Sequence, residues 1–105
     1  MKIYEVLNHL GDVRSYWNTY EEALSDYDLE AHDEIRCREL NAFEQYTDTN
    51  FFYAVESLEK AGLSRSTIAK SLRISRWTLD NWMRTKPRLK PAQMISLLHL
   101  SQVFL

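Results

Sequence analysis

The 105-residue chain is short of the residues that build most reactive sites: one cysteine, two glycines and two prolines. A single cysteine, Cys37, excludes an internal disulfide and fits a cytoplasmic location. It has no histidine at a telling spacing, so it reads as a small buried residue. Gly11 and Gly62 are too few and too far apart for a glycine-rich phosphate loop. No apolar run approaches the length of a membrane span and no signal peptide is evident, so no membrane partner is expected. His9, His32 and His99 lack the spacing of metal ligands. The carboxylates form no recognisable acid/base pair. No metal, cofactor or enzymatic activity is therefore expected.

What is present is an ordinary soluble composition, 45% hydrophobic and 27% charged. The length suits one compact domain or two very small units. The net charge of −2 hides a strong asymmetry. Residues 1–48 hold twelve acidic and four basic side chains, a net of −8, and residues 49–105 hold three and nine, a net of +6. Such a split points to a basic binding surface with an acidic companion.

The most informative stretch lies in the basic half, at 62–84, GLSRSTIAKSLRISRWTLDNWMR. Ile68, Ala69 and Leu72 fall on one helical face, and Leu79, Trp82 and Met83 on another. Ile74, apolar within the polar Arg73-Ile74-Ser75 connection, plugs the corner between the two helices. Gly62 suits the residue that ends a preceding helix. Ser64 and Ser75 suit N-caps, whose hydroxyls accept from free backbone N–H groups. Ala69 supplies the small side chain that two steeply crossing helices need where their backbones approach.

These residues, Ile68, Ala69, Leu72, Ile74, Leu79 and Trp82, closely resemble the lambda-repressor/Cro-like helix-turn-helix family. The resemblance takes in a preceding helix near Asn50–Ala61 and a following one near Pro91–Gln102. It departs from the family at Arg73, where Gly is usual. An arginine there would adopt a left-handed conformation at a cost of about 1 kcal/mol.

The resemblance implies that the second helix enters the major groove of double-stranded DNA. Arg76, Trp77, Asn81 and Arg84 then read bases. Arginine bonds guanine bidentately and asparagine bonds adenine, each worth roughly 1–3 kcal/mol of discrimination. Trp77 presses on a thymine methyl or a sugar, or else meets a neighbouring helix or a second subunit. Asp80 accepts from a cytosine amino group or orients Arg76 or Arg84. Phosphate contacts fall to Ser64, Arg65 and Ser66 at the start of the first helix, to Ser75, and to Lys86, Arg88 and Lys90 in the loop stiffened by Pro87 and Pro91.

The acidic half reads as a short β-β-α-β unit. Residues 2–8 and Val13–Asn18 are strand-like about a Gly11-Asp12 turn. Thr19 and Glu22 form a capping box opening a helix with Tyr20, Ala23, Leu24 and Tyr27 buried. Residues 33–40 read as a third strand with Ile35 and Cys37 inward, or as a helix. A polar connection follows near Gln45–Asn50.

The expected fold is thus α+β: a small β-β-α-β unit over 1–48, then a four-helix helix-turn-helix domain over 49–105. The expected function is a phage or bacterial repressor that binds a palindromic operator as a homodimer, in the bacterial cell or the infected host. The alternative is a bifunctional inhibitor or antitoxin whose acidic half binds a protein partner while the basic half regulates its own operon. The acidic half serves dimerisation in the first case and partner binding in the second.

Overall fold

The computed structural model describes residues 1–26 and 29–105. It is a mixed α+β chain that divides into two compact units, Met1–Ala42 and Phe43–Leu105. Drawn at that boundary, the net charges are −6 and +4.

The first unit is a three-stranded antiparallel sheet in the order β2-β1-β3, with β1 at Lys2–Leu7, β2 at Val13–Trp17 and β3 at Glu34–Glu39. The β1–β2 hairpin turns through Asn8–Asp12. The Asn8 side chain accepts from the Leu10 and Asp12 N–H groups at 2.9 and 3.0 Å. Gly11 takes φ 84°, which a side chain would strain. The register slips between Val6↔Ser15 and Leu7↔Val13, so Arg14 bulges out, and it pairs with Asp33.

Helix α1, Tyr20–Leu24, contacts all three strands. Thr19 caps it, accepting from the Glu22 N–H at 3.1 Å, but its hydroxyl meets the Glu22 carboxylate. The expected buried stripe shrinks to Ala23, while Tyr20 and Leu24 are exposed. Five residues make little more than one turn, so only one side chain can face the sheet squarely. The Tyr20 ring still reaches Tyr4 edge-on at 6.4 Å. Tyr27, the fourth expected member, lies outside the described residues.

Within residues 33–40 a strand does form, at Glu34–Glu39, but Cys37 is exposed, not inward. It sits on an edge strand and pairs only with Tyr4 of β1. The one charged group fully buried in the sheet is Glu5, on the central strand. Its Oε1 accepts from Arg36 Nε and Nη2 at 3.1 and 2.8 Å and lies 3.1 Å from Arg38 Nε. Two of the four basic residues of the acidic half are thereby accounted for. A buried carboxylate stripped of such partners costs several kcal/mol, roughly 3–5.

The second unit opens after a single 3-10 turn at Ala42–Glu44. Its helices are α2 Asp48–Lys60, α3 Arg65–Ser71, α4 Arg76–Arg84 and α5 Pro91–Phe104. Helix α2 begins two residues earlier than the apolar pattern indicates, because Thr47 is its cap and accepts from the Asn50 N–H at 3.1 Å. The polar Asp48-Thr49-Asn50 stretch is thus its first turn, not a connection. At the other end of the unit, α5 runs on to Phe104, past the expected Gln102.

Phe51, Ala54, Val55 and Leu58 of α2 are spaced at i, i+3, i+4 and i+7 and are buried together. They form one core with Ile68, Ala69, Leu72, Leu79, Trp82 and Leu97. Phe51 and Trp82 meet edge to face at 6.0 Å, a favoured aromatic geometry. At the start of α5, Gln93 accepts the Lys90 N–H at 2.8 Å and donates to the Leu72 carbonyl at 3.1 Å, joining the start of α5 to the end of α3. Among the described residues no helix is long and apolar enough to cross a membrane.

Candidate nucleic-acid interface

The site is built from two consecutive helix junctions of the same design. Helix α2 ends at Lys60 with Ala61 as its C-cap, and Gly62 follows with φ 104°. The Gly62 N–H reaches the Glu59 carbonyl at 3.0 Å and the Leu63 N–H reaches Leu58 at 3.1 Å. Helix α3 ends at Ser71 with Leu72 as its C-cap, and Arg73 follows with φ 57°. The Arg73 N–H reaches Lys70 and the Ile74 N–H reaches Ala69, both at 3.1 Å. Both are the paired C-terminal bonds that a left-handed residue permits. Arg73 therefore does adopt the conformation expected of it. Leu63 and Ile74 each pack on the core.

Each junction then opens the next helix the same way. Ser64 accepts from the Thr67 N–H at 3.1 Å, and Ser75 from the Thr78 N–H at 3.0 Å. The Ser and Thr hydroxyls touch at 2.8 and 2.9 Å. Ile68 and Leu79 follow, both fully buried. The local code is apolar-Ser-Arg-X-Thr-apolar, at 63–68 and again at 74–79. This internal repeat is plain in the sequence once the caps are seen, but periodicity alone passes over it.

With Leu79 and Trp82 buried, the outer side of α4 carries the expected readers. Arg76, Trp77 and Arg84 are exposed, and Asn81 is half-buried. Trp77 is 71% exposed, so no helix of its own unit covers it. Ser64, Ser66 and Ser75 are also exposed, near the free N–H groups of two helix starts.

The loop after α4 alternates. Pro87 is buried and Leu89 packs on the core, while Lys86, Arg88 and Lys90 are exposed. Two apolar anchors thus hold three cations at every second position.

Arg65 behaves differently from its expectation at phosphate. Its Nη2 donates to Glu59 at 2.9 Å and its Nη1 to Asp80 at 3.0 Å. These hydrogen bonds, Glu59 first, hold its guanidinium pKa above the ordinary value. Asp80 also lies 3.8 Å from Arg76 Nε, one turn back on α4. The carboxylate on the outer side of α4 thus faces Arg65 and Arg76, with no ion pair to Arg84 among the described residues. Nothing in the spacing of Glu59, Arg65 and Asp80 along the chain shows this clasp, because it spans three helices.

Among the described residues, no cluster of three or more His, Cys, Asp or Glu side chains is placed to hold a metal ion. No protein-family model, curated protein or solved structure matches the chain.

Proposed function

We propose that the chain is a DNA-binding protein of the lambda-repressor/Cro-like helix-turn-helix class. Within that class the reading is a sequence-specific repressor that occludes a promoter as a homodimer on a palindromic operator. The observation that carries it is the outer side of α4: Arg76, Trp77 and Arg84 exposed and Asn81 half-buried, opposite buried Leu79 and Trp82. The exposed cations Lys86, Arg88 and Lys90 continue that side.

In this reading α4 lies in the major groove. Arg76 and Asn81 bond guanine and adenine edges, and Trp77 contacts a thymine methyl. The loop cations, with Ser64, Ser66 and Ser75 at the helix starts, take phosphate. Arg65 is assigned to holding the helices together instead. A dimer sets two such helices about 34 Å apart, one turn of DNA.

Selection of bound sequences from random duplex DNA at physiological salt tests the reading. Enrichment of a palindromic consensus is expected. No enrichment at any salt concentration overturns it.

One observation favours a second reading: Met1–Ala42 is a compact unit of its own with net charge −6. An inhibitor or antitoxin would use that unit on a basic protein target and keep α4 for autoregulation. A stoichiometric complex with a defined target that survives Arg76→Ala and Asn81→Ala supports it over dimerisation alone.

A further inference from the structure

Glu59, Arg65, Asp80 and Arg76 form a row of alternating charge across α2, α3 and α4. The two arginines share one carboxylate unequally. Arg65 hydrogen-bonds Asp80 Oδ1 at 3.0 Å, whereas Arg76 stands 3.8 Å from Oδ2. The Arg76 side chain is 64% exposed and that of Arg65 only 29%. Glu59 accepts from the other terminal nitrogen of the Arg65 guanidinium, Nη2. Asp80 is therefore tied to Arg65 by a direct hydrogen bond, while Arg76 is only loosely held beside it.

We propose that Asp80 is a specificity-determining residue: a clamped carboxylate that keeps Arg76 off phosphate and yields it to the paired acceptors of guanine. The proposal rests on the DNA reading above. A phosphate approaching Arg76 also approaches the Asp80 charge and is repelled by it. Guanine N7 and O6 are uncharged acceptors that match the guanidinium fork, so they gain the arginine without that repulsion. The result is weaker binding to arbitrary DNA and sharper discrimination in favour of the operator. Non-specific affinity comes almost wholly from phosphate, which is where a single fixed negative charge acts most.

The test uses the full chain, a duplex from the selected pool and a scrambled duplex of the same composition, titrated over a range of salt. Asp80→Asn is expected to tighten binding to the scrambled duplex by about three- to tenfold. It should also steepen the salt slope by about 0.9, as one added phosphate contact does. The ratio of selected to scrambled affinity falls. Adding Arg76→Ala to Asp80→Asn abolishes both changes.

A second variant covers the case in which Asp80→Asn loosens the helices. Arg76→Gln leaves the clasp of Glu59, Arg65 and Asp80 in place. It should lower selectivity at one guanine while leaving the salt slope unchanged. Unchanged scrambled-duplex affinity in Asp80→Asn, or a slope shallower by about 0.9 in Arg76→Gln, overturns the proposal. Wild-type chain that binds neither duplex overturns the DNA reading as well, a failure distinct from altered slopes with binding intact.

Discussion

Gly62–Ile68 and Arg73–Leu79 are built alike. Each starts on a left-handed residue, sets an apolar side chain on the core, caps a helix with Ser against Thr, and buries the next apolar residue. The first helical residue is arginine in both, yet the two arginines differ in their surroundings. Arg65 is held by two carboxylates from other helices, and Arg76 is largely exposed and stands 3.8 Å from Asp80 of its own helix. The difference traces to the residue four places on. In α4 that place is Asp80, and in α3 it is Ala69, whose smallness the packing needs. Local sequence sets how a helix starts. Its neighbours decide whether the charge at that start is spent inside the protein or offered outside.

If the two segments are equivalent in the core, Ile68→Ala and Leu79→Ala should each destabilise by about 2–5 kcal/mol, as buried aliphatic truncations do. Urea unfolding measures both. A cost near zero for either breaks the equivalence. The arginines should separate on DNA. Arg76→Ala and Asn81→Ala each weaken binding to the selected site by about 1–3 kcal/mol. Arg65→Ala lowers the melting temperature through a loss of about 1 kcal/mol or less and leaves the salt dependence of binding unchanged. A shallower salt slope in Arg65→Ala would return that residue to the phosphate set.

The caps should match each other. Ser64→Ala and Ser75→Ala each cost about 1 kcal/mol of folding stability. Unequal losses would show that one helix start is held by something other than its serine. Effects of similar size lie at the left-handed positions and have opposite signs. Gly62→Ala should cost about 1 kcal/mol, and Arg73→Gly should stabilise by up to about the same amount. Thermal unfolding of the pair reads both signs at once.

The junctions were legible in the sequence because they are local. Ser64, Ser75 and Gly62 each act within five residues of themselves, so local sequence points to their caps, whereas the positive φ of Arg73 was expected only from the resemblance, which usually has Gly there. The strand at Glu34–Glu39 was half legible. Its β-prone residues were visible, but the exposure of Cys37 depends on the strand lying at a sheet edge. The exposure of Tyr20 and Leu24 depends on where α1 stops. Least legible were the ion pairs. Glu5 with Arg36 and Arg38 needs the β1–β3 register, and Arg65 with Glu59 and Asp80 needs the packing of three helices. The same gap affects the candidate interface. The outer side of α4 and the approach of Arg76 to Asp80 followed from helical spacing, whereas the tighter partner of Asp80, Arg65, did not.

Gln93 gives the second unit a property of its own. One amide side chain accepts from the Lys90 N–H and donates to the Leu72 carbonyl, so the first turn of α5 and the last turn of α3 share a single tether. Fraying at either end removes a partner from the other. Native-state hydrogen exchange at the two helix ends should therefore be linked, with the Lys90 and Ile74 amides slowing or quickening together. The turn that presents α4 would then open only as part of a larger cooperative event, not as a loop by itself.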